Sequence, residues 1–170
     1  RTICFVSRED FLRLSAGVGF YDAKLTENYC GEVDASGNPI SNCTDPQGPD
    51  GTRLPVTADV KANVTARYTF DIGEYEAFWQ GSLVHEGRRS SDIRTIENTI
   101  LGELPAYQLF DFSAGVRRNN WSVDFYIKNL LDENAQYGRN VQCPETVCAA
   151  QVYSVAGQPR TFGIKFSQDF

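Results

Sequence analysis

Large apolar and polar residues alternate along much of this chain, and they do so in blocks. Leu12, Leu14, Ala16, Val18 and Phe20 share one side of an extended segment, with Arg13, Ser15, Gly17, Gly19 and Tyr21 on the other. A period of two is the signature of a half-buried strand. The last block, GQPRTFGIKFSQDF, repeats it: Phe162, Ile164, Phe166 and Phe170 form an apolar row broken only by Gln168. Thr161, Gly163, Lys165, Ser167 and Asp169 face the opposite way. A shorter fragment, Thr2 to Ser7, precedes the first strand across a charged turn at Arg8-Glu9-Asp10.

Two hairpins lie between. A turn at Ile72-Gly73 sets Phe70 opposite Tyr75, Tyr68 opposite Ala77, Ala66 opposite Trp79, Val64 opposite Gly81 and Ala62 opposite Leu83. The alternate face is mostly polar, with Arg67 opposite Phe78 as its mixed pair. A one-residue slip would mingle the faces, which specifies the register. A second turn at Asn119-Asn120 uses the tolerance of Asn for positive φ. It pairs Val116 with Val123, Ala114 with Phe125 and Phe112 with Ile127 on one face. On the other, Ser113 meets Tyr126 and Asp111 meets Lys128, an opposite-charge pair.

Alternation alone fits a soluble barrel with its apolar face inward and a membrane barrel with that face outward. Three features favour the membrane. The strands are long for a globular protein and suit a tilted spanning strand. Connections alternate between short turns, at Asp71–Glu74 and Arg118–Asn120, and long loops, at Lys24–Ala58, Glu86–Pro105 and Asp132–Gln158. Finally Phe70, Tyr75, Trp121 and Phe170 gather at the short-turn end of the apolar face, where an interfacial aromatic girdle belongs.

Composition narrows the classes further. The 170 residues suffice for one domain, and no apolar run approaches the ~18 residues of a spanning helix. A net charge of -6 argues against nucleic acid, whose phosphates need a basic face. The sequence holds no Met, so the chain reads as a mature protein, a fragment, or part of a longer polypeptide.

The stretch LPAYQLFDFSAGVRRNNWSVDFYIKNLLDENAQYG, followed by GQPRTFGIKFSQDF, resembles the C-terminal end of TonB-dependent outer-membrane receptors. The residues that carry the likeness are Asn129-Leu130-Leu131-Asp132, then Tyr137, then Pro159-Arg160-Thr161 opening a last strand that ends in Phe. GTRLPVTADVKANVTARYTF and LRLSAGVGFYDAKL are similar to earlier barrel strands of that family. The resemblance implies an all-β fold, a segment of an antiparallel up-and-down transmembrane β-barrel, about six or seven strands of a barrel of ~22. It implies that residues 1–170 are the C-terminal barrel portion, that the plug domain and its TonB-contacting segment are absent, and that the whole receptor imports a scarce nutrient: a metal–siderophore, cobalamin or an oligosaccharide. The alternatives are a self-contained eight-stranded outer-membrane barrel with a structural or adhesive role, and a soluble lipocalin-like binder.

Partners follow from the same likeness: the rest of the barrel and plug, TonB through that plug, outer-membrane lipid and lipopolysaccharide, and the assembly machinery. The last strand, with Phe162, Ile164, Phe166 and Phe170, is similar to the signal which that machinery reads. With the C-terminus periplasmic, the long loops lie outside the cell. Local disulfides, Cys30 with Cys43 and Cys143 with Cys148, are the preferred connectivity, and Cys4 is left over. Arg67, Asp111, Asp124, Tyr126, Lys128 and Lys165 are candidates for lining the lumen, or for satisfying one another around the wall. Arg88, Arg89 and Arg94 in the middle loop are candidates for phosphate or anionic substrate, against a reading as ordinary loop charge. No cofactor, metal set or catalytic constellation is expected. The lone His85 reads as an interface side chain.

Overall fold

The computed structural model describes residues 2–8, 11–141 and 151–169. Seven strands form one antiparallel sheet: β1 (Thr2–Arg8), β2 (Leu12–Phe20), β3 (Val60–Ile72), β4 (Tyr75–Glu86), β5 (Tyr107–Arg118), β6 (Trp121–Lys128) and β9 (Thr161–Gln168). They pair in chain order, each with the one before it, with β1 and β9 at the open ends. The barrel is therefore not closed within this chain, and no eight-stranded ring forms among the described residues.

The alternation along each strand becomes two continuous faces. Leu14, Ala66, Gly81 and Phe112 form one row across four strands of the apolar face. Many of its side chains are exposed: Phe20, Trp79, Phe162 and Phe166 among them, and Ile164 keeps 75% of its surface. A contiguous exposed apolar face on a single-layer sheet is what a lipid-facing barrel wall presents. No helix among the described residues is long and apolar enough to cross a membrane, which says nothing of strands.

The second hairpin pairs as expected, with Val116 opposite Val123, Ala114 opposite Phe125 and Phe112 opposite Ile127. Of its turn residues, Asn119 takes the positive φ, at 51°. The first hairpin differs. Its turn is Gly73-Glu74, so Ile72 pairs Tyr75, Phe70 pairs Ala77, Tyr68 pairs Trp79 and Ala62 pairs His85. The expected register is displaced by two residues, because Gly73 supplies a φ of 62° at the first central position of a two-residue turn. An even displacement keeps every side chain on its face. Arg67 accordingly stands opposite Gln80, while its guanidinium lies 3.6 Å over the Phe78 ring.

Two long loops contain structure where open loop was expected. The β4–β5 connection carries a short helix, α1 (Thr95–Leu101), and the β6–β9 connection carries its own hairpin, β7 (Gln136–Val141) with β8 (Val152–Ala156). The first long loop folds back on itself through bridges at Lys24–Arg53, Tyr29–Gly48 and Val33–Pro39. Most buried residues belong to this loop end: Ala58, Arg89, Leu101, Leu104, Tyr107, Asn129 and Ala135.

Candidate functional site

The chemistry of the chain concentrates in two places, the base of the long loops and the polar face of the wall. At the loop base the motif residues form a clasp. Asn129 is 3% exposed and adopts a φ of 49°, a conformation Asn tolerates better than most residues. Its Nδ2 donates to the carbonyls of Glu133 and Gln158, both at 2.9 Å, and its Oδ1 accepts from the Glu133 N–H at 2.8 Å. Asp132, also at positive φ, accepts from the Arg160 N–H at 3.0 Å. The Arg160 guanidinium reaches the Leu130 carbonyl at 3.3 Å. Thr161 donates its hydroxyl to the Pro159 carbonyl at 3.0 Å, and Leu131 is exposed. The motif thus ties the end of β6 to the start of β9 across the whole intervening loop. Tyr137 packs edge-on against Tyr107, ring centroids 5.6 Å apart.

Beside the clasp lies an ion network centred on a buried arginine. Arg89 is 3% exposed; it donates to the Gln136 carbonyl at 2.6 Å, sits 3.7 Å from the Glu86 carboxylate and lies over the Tyr107 ring. Glu86 also pairs with Lys61 at 2.8 Å and accepts from the Tyr107 hydroxyl at 2.6 Å. In return Arg139, on β7, donates to the Leu101 carbonyl at 2.9 Å. Each loop therefore sends an arginine to a carbonyl of the other. Arg89 is thus engaged by this packing through its carbonyl bond and its contact with Glu86. Arg94 is bidentate on Asp92 and paired with Glu97, while Arg88 is exposed. The Asp92 carboxyl is held below the ordinary value chiefly by its bonds from the Arg94 side chain. The first loop is joined to this assembly by Thr95 N–H to the Gln47 carbonyl and Val56 N–H to the Ser90 carbonyl. Its tip closes on Asp34, whose side chain accepts from the Ser36 and Asn38 N–H groups.

Cys30 and Cys43 are disulfide-bonded across that loop. Cys143, Cys148 and Phe170 lie outside the described residues, and Cys4 stands opposite Gly17 in register. All six lumen candidates fall on the polar face. Lys128 binds Asp111 at 2.7 Å, and Asp111 also accepts from the Asn129 N–H at 2.9 Å. Asp124 stands opposite Lys165, and the Tyr126 ring covers Gly163. Phe162, Ile164 and Phe166 are exposed on β9, an end strand of the sheet. Near the short turns Tyr75 and Trp121 meet edge-on at 6.0 Å, and Tyr68 stacks with Phe70 at 5.6 Å. Sequence reasoning missed Gln136, Arg139 and Tyr107 as a unit, because each meets its partner across a loop and none stands in a recognisable spacing.

A one-layer antiparallel wall with one apolar and one polar face, and with its long connections at one end, is a segment of a transmembrane β-barrel. The family model for TonB dependent receptor-like β-barrels matches residues 7–130, and the chain belongs to that family. No curated protein matches the sequence. Among solved structures, the ferric preacinetobactin receptor BauA from Acinetobacter baumannii superposes with a TM-score of 0.65 at 19% identity, over 99% of this chain and 22% of that one. The siderophore receptor PiuA from the same organism gives 0.67 at 20% identity, over 97% of this chain and 20% of that one. The chain thus spans about a fifth of the length of each.

Proposed function

We propose that residues 1–170 form the C-terminal barrel wall of a TonB-dependent outer-membrane transporter whose plug domain lies elsewhere in the polypeptide. The whole protein imports a scarce nutrient with TonB-coupled energy. A metal–siderophore is favoured over cobalamin or an oligosaccharide, because the similar structures named above include a ferric preacinetobactin receptor and a siderophore receptor. The single observation that carries this reading is the open seven-stranded wall with its apolar face exposed, in a chain of this family. Such a wall needs further strands, since unpaired backbone at an edge is costly in lipid.

In this arrangement the short turns are periplasmic and the long loops extracellular. The apolar face meets outer-membrane lipid, and the loop end meets lipopolysaccharide. The assembly machinery reads β9 through Phe162, Ile164, Phe166 and Phe170. Arg67, Asp111, Asp124, Tyr126, Lys128 and Lys165 line the lumen, where the Lys128–Asp111 pair supports a partly structural role. The protein is a transporter, not an enzyme.

The test is the intact mass of the native polypeptide taken from outer membranes without cleavage, followed by uptake of radio-iron, supplied as a panel of ferric siderophores, into cells with and without the gene. A mass several times 19 kDa and gene-dependent iron uptake are expected. A mass near 19 kDa overturns the transporter reading. Uptake of labelled cobalamin or maltooligosaccharide in place of iron would overturn the siderophore assignment alone.

A further inference from the structure

The apolar face of the wall is not smooth near the long loops. Val18, Ala62, His85 and Gln108 form one row across β2, β3, β4 and β5, close to where each strand meets its loop. The next row towards the short turns runs Ala16, Val64, Leu83 and Phe110. Ala16 and Ala62 are short, and the surface dips among Val18, Val64 and Leu83 into an open groove of about 370 Å³. Its lining is almost entirely carbon.

His85 lines this groove and also a second depression, of about 230 Å³, beside Gln108, Leu131 and Glu133. The second is as polar as it is apolar, and no lysine or arginine among the described residues lines it. The side chains of His85, Gln108 and Glu133 bond no described residue, and the His85 Nδ1 is buried without a partner. A buried polar atom left unpaired is uncommon and costly, and it calls for a cause. A dry groove and a polar depression that share one imidazole have the shape of an amphiphile.

We infer that the two depressions are one seat for a sugar-headed lipid of the outer leaflet, its acyl chain in the dry groove and its hydroxyls against His85, Gln108 and Glu133. This rests on the transporter reading, which puts this face in lipid and the long loops outside the cell. The polarity then runs with the bilayer: the dry groove extends towards the short turns, and the polar depression lies at the loop side. The lining selects the headgroup. A carboxylate with no cation beside it disfavours phosphate and accepts from a hydroxyl or an ammonium. An ammonium only donates, which leaves the Gln108 amide N–H groups unmatched, whereas a hydroxyl both donates and accepts.

The test places the full-length receptor in nanodiscs of equal parts monoglucosyl diacylglycerol, phosphatidylethanolamine and phosphatidylglycerol. The receptor is then released in a mass spectrometer and its retained lipids are counted. The expected result is retention of the glucolipid about tenfold above either phospholipid, the difference that one or two added hydrogen bonds supply. Gln108→Ala with Glu133→Ala should erase that preference. Glu133 joins the clasp through its backbone alone, so this double variant keeps the clasp. Ala62→Trp, which fills the groove, should cut glucolipid retention about tenfold by itself. Equal retention of the three lipids, a preference for the ammonium-headed one, or a glucolipid preference that survives both variants would overturn the seat. A polypeptide bound in place of lipid and displaced by Ala62→Trp overturns it too. A native mass near 19 kDa removes the transporter reading and this inference together, whereas unselective lipid on a long polypeptide that imports iron removes this inference alone.

Discussion

Replacing Asn129 by Ala should open the base of the β6–β9 loop without unfolding the wall. The substitution removes an amide that makes three hydrogen bonds of 2.8–2.9 Å in a position 3% exposed. It leaves the Glu133 N–H and the carbonyls of Glu133 and Gln158 without their partner. At about 1 kcal/mol each, the low end for buried unsatisfied groups, this costs about 3 kcal/mol. Ala at a φ of 49° adds about 1 kcal/mol of backbone strain. The sum, about 4 kcal/mol, corresponds to roughly a thousandfold rise in local opening. Because a large barrel does not unfold in two states, the assay is hydrogen exchange of single amides in the full receptor. Glu133 and Arg160, whose N–H groups bond Asn129 and Asp132, are the reporters. Asn129→Gly loses the same bonds but not the backbone preference, so it should fall short of Ala by roughly fivefold. A change of less than about tenfold at both reporters would show that the clasp does not hold the loop.

Two further outcomes follow from other sites. A Cβ on Gly115 would sit 2.7 Å from Phe78 Cε1 and 2.9 Å from the Val123 carbonyl, against a backbone that cannot turn aside. Gly115→Ala should therefore cost about 1–3 kcal/mol of local stability, read as faster amide exchange along β5 in the full receptor, and Gly163→Ala less, because the nearest atoms at that site belong to the Tyr126 side chain rather than to backbone. The Asp92 carboxyl is lowered first by the Arg94 side chain, so its contribution is complete above the ordinary carboxyl value of 3.8. It is lost as pH falls below 3.8 and through the depressed folded value. The carboxyl-carbon resonance of Asp92 should titrate below 3.8, and Arg94→Gln should bring it back up; a wild-type midpoint at or above 3.8 contradicts the pairing.

The wall was legible because its information is local. Alternation at Leu12–Phe20 or Thr161–Gln168 needs no knowledge of the rest of the chain, and the faces came out as written. The register of β3 on β4 was not, since Ile72-Gly73 and Gly73-Glu74 are both plausible turns and either leaves the faces intact. Only the conformation of Gly73 decides between them. Helix α1 is seven residues long, too short for a helical period to declare itself. The motif at Asn129–Asp132 stood out as a pattern, but what it does depends on Gln158 and Arg160, 29 and 28 positions beyond their partners. Arg89 gave no warning at all. A charged residue in a polar loop reads as solvated, and only the carbonyl of Gln136 and the carboxylate of Glu86 explain its burial.

The two-residue turn at Gly73-Glu74 fixes the stagger of β4 on β3. In a closed barrel, the stagger accumulated between neighbouring strands sets their tilt and, with strand number, the width of the channel. A step of two residues at a short turn changes that stagger while every lipid-facing and interior side chain keeps its place. Gly73 therefore separates two properties that a substitution elsewhere in the strand would couple: the chemistry of each face, and the geometry of the pore.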